Sequence, residues 1–158
     1  MEKTLNRTVL TSPVHFLAFG FGSGLSPKAP GTMGTLAAIP LYLLLMNLPL
    51  TGYLLAVLLI SVAGIWICGE SSRRLGVHDH GGIVWDEFAG FLLTMTAAPQ
   101  GWAWIVLGFA LFRLFDIWKP WPVRVADRQL HGGLGIMLDD ILAGIYAWLV
   151  LQAVAYVV

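Results

Sequence analysis

Six carboxylates lie inside or at the edges of segments that otherwise read as membrane: Asp79, Asp86, Glu87, Asp116, Asp139 and Asp140. The chain is 58% hydrophobic and 11% charged, with a mean hydropathy of +0.78. An ionisable group at the centre of a membrane helix costs on the order of 2.5–3.5 kcal/mol. Two adjacent pairs, Asp86-Glu87 and Asp139-Asp140, raise that cost, because like charges disfavour each other's ionised form. A divalent cation is the simplest thing that makes the arrangement favourable, and clusters of oxygen ligands suit Mg²⁺.

At 158 residues the chain is expected to form a single domain spanning 1–158. That length accommodates roughly four or five spanning helices at about 20 residues each, so an all-α integral membrane bundle is the expected fold. A net charge of zero gives no reason to expect nucleic acid, and no protein partner is implied. The single cysteine, Cys68, lies in an apolar run, and the chain lacks the Cys/His spacing of a zinc site. The stretch Val14 to Phe21 is too short to span and has no cleavage signal, so it reads as a retained interfacial segment.

The apolar segments are Thr35–Leu48, Thr51–Gly69, Ile83–Ala98, Trp102–Phe115 and Ile141–Val158. The first is short enough to be tilted or re-entrant. The turns at Asn47–Gly52 and Ala98–Gly101 carry no charge. Every Lys and Arg lies on the alternate connections: Lys3, Arg7 and Lys28, then Arg73 and Arg74, then Arg113, Lys119, Arg124 and Arg128. By the positive-inside rule those connections face the cytoplasm, and all six acids fall on the same side.

Gly82-Ile-Val-Trp-Asp86-Glu87 is similar to Gly135-Ile-Met-Leu-Asp139-Asp140, and each is followed by an Ala-Gly pair, Ala89-Gly90 and Ala143-Gly144. Small residues let membrane helices approach closely. An acid at a helix start is also an ordinary cap, but a cap needs one acid and here there are two each time. Arg113, Asp116 and Lys119 are spaced three apart and share a helical face until Pro120 ends the helix. They read either as a terminal salt-bridge ladder or as a metal ligand, Asp116, between two phosphate-binding cations. The stretch Gly22–Thr35 is rich in Gly, Ser, Thr and Pro, with Lys28 and Thr32 just before a helix, which is a frame for an anion site or a plain linker.

Asp86-Glu87, Phe112–Pro122, Gly132–Asp140 and the Ser26–Thr32 loop, taken together and in this order, resemble the phosphatidylglycerophosphatase A family over about Phe19 to Gly144. The resemblance implies a Mg²⁺-dependent lipid phosphatase of the bacterial inner membrane. Such an enzyme converts phosphatidylglycerophosphate to phosphatidylglycerol, with its active site facing the cytoplasm. The candidate catalytic residues are then Asp86, Glu87, Asp116, Asp139 and Asp140. The same five, with Asp79, are candidate Mg²⁺ ligands. Lys28, Thr32, Arg113 and Lys119 are candidates to bind the substrate phosphate, since cations at the equatorial oxygens carry most of the electrostatic work in phosphoryl transfer.

Other chemistries fit less well. Cys68 to Arg74 has the C-x₅-R spacing of cysteine-dependent phosphatases, but the loop is not glycine-rich and the thiol ends an apolar helix, where an inert packing role is expected. His78-Asp79-His80 offers imidazoles for a transition metal, yet it reads better as a solvated turn. A small transporter or proton-coupled carrier also places acids in membranes, but usually near the midplane between inverted repeats.

Overall fold

The computed structural model describes residues 2–158, and side chains from residue 4 onward, so the side chain of Lys3 lies outside the described residues. Among those residues the chain is all-helical, with α1 at Glu2–Thr11, α2 at Pro13–Ala18, α3 at Pro30–Leu45, α4 at Leu50–Leu75, α5 at Trp85–Thr94, α6 at Trp102–Trp118, α7 at Val123–Gln129 and α8 at Gly132–Val157. A short 3₁₀ turn, Ser23–Leu25, links α2 to the loop before α3. α5 packs against α3, α4, α6 and α8, so it is the central element.

α5 is 10 residues long, about 15 Å, or roughly half the hydrocarbon thickness of a bilayer. Nine of those residues, from Trp85 to Leu92 and Thr94, are buried. The expected apolar segment Ile83–Ala98 is therefore not a span of its own. It ends at Thr94, and Ala97 adopts a left-handed conformation ahead of Pro99.

Two helices, α4 and α8, each of 26 residues, are long and apolar enough to cross a membrane, while α3 is apolar but has 16 residues. On α4 the apolar side chains Leu55, Leu58, Leu59, Val62 and Trp66 are more than half exposed. An apolar face of this extent marks a surface made for something other than water. α3, α6 and α8 likewise carry exposed apolar residues such as Leu44, Val106, Ile117 and Leu149.

α8 also differs from the sequence expectation. It starts at Gly132 rather than at Ile141, which puts Asp139 and Asp140 more than a turn inside the helix instead of at its start. The early start has a packing reason. A Cβ at Gly133 would collide with the Ile65 carbonyl of α4, and one at Gly135 with the Leu130 carbonyl, so these glycines let the first turns of α8 lie tightly against their neighbours. A capping explanation for the second acid pair is thereby removed.

The two Ala-Gly pairs meet where α5 crosses α8. A Cβ built on Gly144 would stand 2.6 Å from the Gly90 carbonyl oxygen, and one on Gly90 would stand 2.8 Å from the Asp140 carbonyl oxygen. This contact sets the height of Asp140 relative to Glu87. The uncharged turns between α3 and α4 and after α5 line a common cavity with Tyr42, Tyr53, Ala98 and Gln100, at the opposite end of α5 from its acids.

Candidate functional site

The first turn of α5 contributes Asp86 and Glu87, and α8 contributes Asp140. Each offers one carboxylate oxygen that lies within 4.8 Å of the other two, and all three residues are buried. Three of their side-chain oxygens, Asp86 Oδ1, Glu87 Oε2 and Asp140 Oδ2, are fully buried with no hydrogen-bond partner. Orphaned buried carboxylate oxygens are expensive, and one from each of three converging acids makes a group that could hold a metal ion.

Arg113 of α6 lies beside this group. Its guanidinium pairs with Asp116 one turn on, and Nη1 stands 3.7 Å from Glu87 Oε1. Of the two readings of this helix end, the salt-bridge ladder is present between Arg113 and Asp116. Its inward end still touches the acid group, because Arg113 faces Glu87. Gly31, in the first turn of α3, closes this corner. A Cβ there would strike Glu87 Oε1 and come within 3.1 Å of Arg113 Nη1. Only a glycine leaves room for the carboxylate and guanidinium at that point.

Lys119 follows α6 in a left-handed conformation at φ 50°, which turns it off the Arg113–Asp116 face. Its Nζ donates to Asp127 Oδ1 at 2.6 Å and to Asp139 Oδ2 at 3.0 Å. Asp139 Oδ1 in turn accepts the backbone N–H of Asp140 at 3.0 Å. Burial works against the Lys119 ammonium, but the Asp127 hydrogen bond and the charge of Asp139 outweigh it and raise its pKa. Burial likewise works to raise Asp127, and the Lys119 hydrogen bond and charge overcome it, holding the carboxyl below its usual range.

The sequence candidates thus separate into groups. Asp86, Glu87 and Asp140 converge; Asp116 and Asp139 adjoin them, each engaged by a cation. Thr32 is half-buried in the first turn of α3, next to Gly31, and Lys28 is exposed on the loop that precedes it. Asp79 is exposed in the loop between α4 and α5. Sequence reasoning missed Gly31 as a wall of the site and Asp127 as a partner of Lys119. Asp127 sits between Arg124 and Arg128 in what reads as a plain basic connection, and only the turn at Lys119 brings it into reach.

The remaining polar features are structural. Cys68 is fully buried with its Sγ 3.8 Å from Met137 Sδ, a packing contact. Glu70 holds Arg73 and Arg74 at the end of α4. His78 Nε2 accepts the Gly132 N–H at 3.3 Å, and His80 Nδ1 accepts the Gly82 N–H at 3.0 Å, so both imidazoles pin loops.

Fold and site together define an apolar helical bundle with a buried carboxylate centre of the kind that takes a hard cation, edged by Arg and Lys. The chain belongs to the phosphatidylglycerophosphatase A family, whose model matches residues 16–155. It is 52% identical over 141 residues to phosphatidylglycerophosphatase A of Escherichia coli strain K12, covering 89% of this chain and 82% of that one. It is 47% identical over 154 residues to phosphatidylglycerophosphatase A of Haemophilus influenzae, covering 96% and 94%. No solved structure matches the chain.

Proposed function

We propose that this chain is a Mg²⁺-dependent lipid phosphatase that hydrolyses the terminal phosphomonoester of phosphatidylglycerophosphate at the cytoplasmic face of a bacterial inner membrane. The observation that carries the reading is the trio of orphaned, buried oxygens on Asp86, Glu87 and Asp140 in a member of this family. The names of the relatives support the substrate.

The donor set fits Mg²⁺. It is anionic, all oxygen, convergent and without competing hydrogen bonds. Asp86, Glu87 and Asp140 would hold the ion. When bound, it neutralises and orients a phosphate and lowers the pKa of a nearby water.

The chain's own residues do the rest. Arg113 fixes Glu87 and Asp116 in their relative positions, and Lys119 does so for Asp139. Lys28, Thr32 and the start of α3 receive the phosphate, because a helix N-terminus and a cation both favour an anion. A water oxygen forms the new bond to phosphorus as the bond from phosphorus to the glycerol oxygen breaks. The glycerol oxygen leaves with a proton, giving phosphatidylglycerol and inorganic phosphate. Water is preferred over an Asp as the nucleophile, since the acids with free oxygens are those best placed to ligate the metal.

α3 and α6 would lie in the bilayer beside α4 and α8, with α5 enclosed among them, which makes four to five embedded helices. The acids then sit toward the side where the basic connections lie. A carrier would use acids near the midplane between repeats, and these gather at one end of α5.

The test is phosphate release from phosphatidylglycerophosphate by the purified protein in detergent, with and without a chelator. Release that stops on chelation and returns with Mg²⁺ is expected. Release that survives exhaustive chelation, or none under any condition, contradicts the proposal.

A further inference from the structure

Asp127 belongs to neither the buried acid group nor the motifs that mark it. Its place in a basic seven-residue helix, between Arg124 and Arg128, suits a solvated acid. It is instead half-buried and takes the shorter of the two Lys119 hydrogen bonds, 2.6 Å against 3.0 Å to Asp139. The contacts then continue without a gap, from Lys119 to Asp139 Oδ2 and from Asp139 Oδ1 to the backbone of Asp140.

Lysine is a flexible side chain whose ammonium has no fixed direction of its own. One acid alone leaves it free to swing; two acids on different elements hold it at one point. Lys119 is gripped between α7 and α8, and the grip keeps both Asp139 oxygens engaged. With Asp139 engaged, Asp140 is the α8 acid left free to join Asp86 and Glu87.

We propose that Asp127 is a positioning residue of the site. It fixes Lys119 on Asp139, reserves Asp140 for the cation, and keeps the Asp127–Lys119–Asp139 group at net negative charge. This inference rests on the reading of the site given above.

The experiment compares Asp127→Asn, Asp127→Ala and Asp127→Glu with the unaltered full-length protein in detergent. Mg²⁺ alone is titrated by calorimetry, and phosphate release is measured against lipid concentration. Loosening Lys119 and removing one negative charge from its group should weaken Mg²⁺ binding in the Asn and Ala variants by about tenfold, since Asp127 acts on the ion site through Lys119 and Asp139 in a partly screened setting. kcat/KM should fall to a similar degree, while Asp127→Glu stays within about threefold of the original, because the charge and the acceptor are both kept. An anchor for α7 and nothing more would lower the melting temperature yet leave Mg²⁺ affinity and kcat/KM of the folded protein unchanged, and that result overturns the inference alone. Should Asp127→Ala fail to fold, Asp127→Asn and Asp127→Glu carry the comparison. An unaltered protein that neither binds Mg²⁺ nor releases phosphate overturns the reading of the site and this inference with it.

Discussion

Gly144 of α8 lies against Gly90 of α5 so closely that a Cβ on Gly144 would stand 2.6 Å from the Gly90 carbonyl oxygen. About one turn before Gly144, Asp140 meets Glu87, so the helix crossing and the acid group are one construction.

Gly144→Val should therefore damage the site without touching an acid. Forcing a branched side chain into a closed helix crossing costs typically about 1–3 kcal/mol, and the two helices must separate. The expected outcome is a lower melting temperature together with weakened Mg²⁺ binding. Ala at the more exposed Gly101 turn is the wrong control, since its φ of 126° penalises any side chain. Gly81→Ala, in open space, is the right one and should change neither property. Equal effects from both substitutions would show that the crossing does not set the site.

Much of this was legible in the chain, and the limits have physical causes. Adjacent acids in an apolar sequence stand out because their solvation must be compensated, so Asp86, Glu87, Asp139 and Asp140 could be singled out without a structure, but not which of them converge. The Ala-Gly pairs told of close helix contact, though not that they contact each other. The start of α8 was hidden because Gly132, Gly133 and Gly135 read as a loop, while in place Gly133 lies against the Ile65 carbonyl of α4 and Gly135 against the Leu130 carbonyl. Asp127 was hidden because its partner lies eight residues away across a left-handed turn and a short helix, a separation that no helical periodicity reports.

The buried His15 gives a pH dependence unrelated to catalysis. Its Nδ1 lies 2.8 Å from Ser71 Oγ, joining α2 to the end of α4. Burial, and then the nearby Arg74 charge, lower its pKa from 6.5. In the unfolded segment the imidazole protonates first as pH falls, so the docked state is fully favoured above about pH 6.5 and loses ground as pH drops toward the lower folded value. The amide protection factors in α2, each taken relative to the intrinsic exchange rate at that pH, should thus fall as pH drops from about 7.5 to about 5.5. His15→Asn, which cannot titrate, should remove that difference; an unchanged pH response in this variant would count against it.

Sidedness can be read by labelling. In a Cys68→Ala background, single cysteines at Arg124 and at Gln100 should react from opposite sides of sealed membrane vesicles, with position 124 protected from an external, impermeant reagent in intact cells. Position 124 reacting from outside while position 100 does not would invert the assignment. Cys68→Ala itself should cost only packing, on the order of 1 kcal/mol, and leave phosphate release intact.

The central claim is that the chemistry belongs to the buried carboxylates of α5 and α8. Its most direct test is phosphate release by Asp86→Asn, Asp140→Asn and Cys68→Ser, measured side by side in detergent with circular dichroism as a check on folding. Both Asn variants should remain helical and lose turnover by about a hundred- to a thousandfold, the scale at which removal of a transition-state electrostatic group is felt. Cys68→Ser should keep most of its activity. Active Asn variants beside an inactive Cys68→Ser protein would contradict the account and move the chemistry to the segment from Cys68 to Arg74.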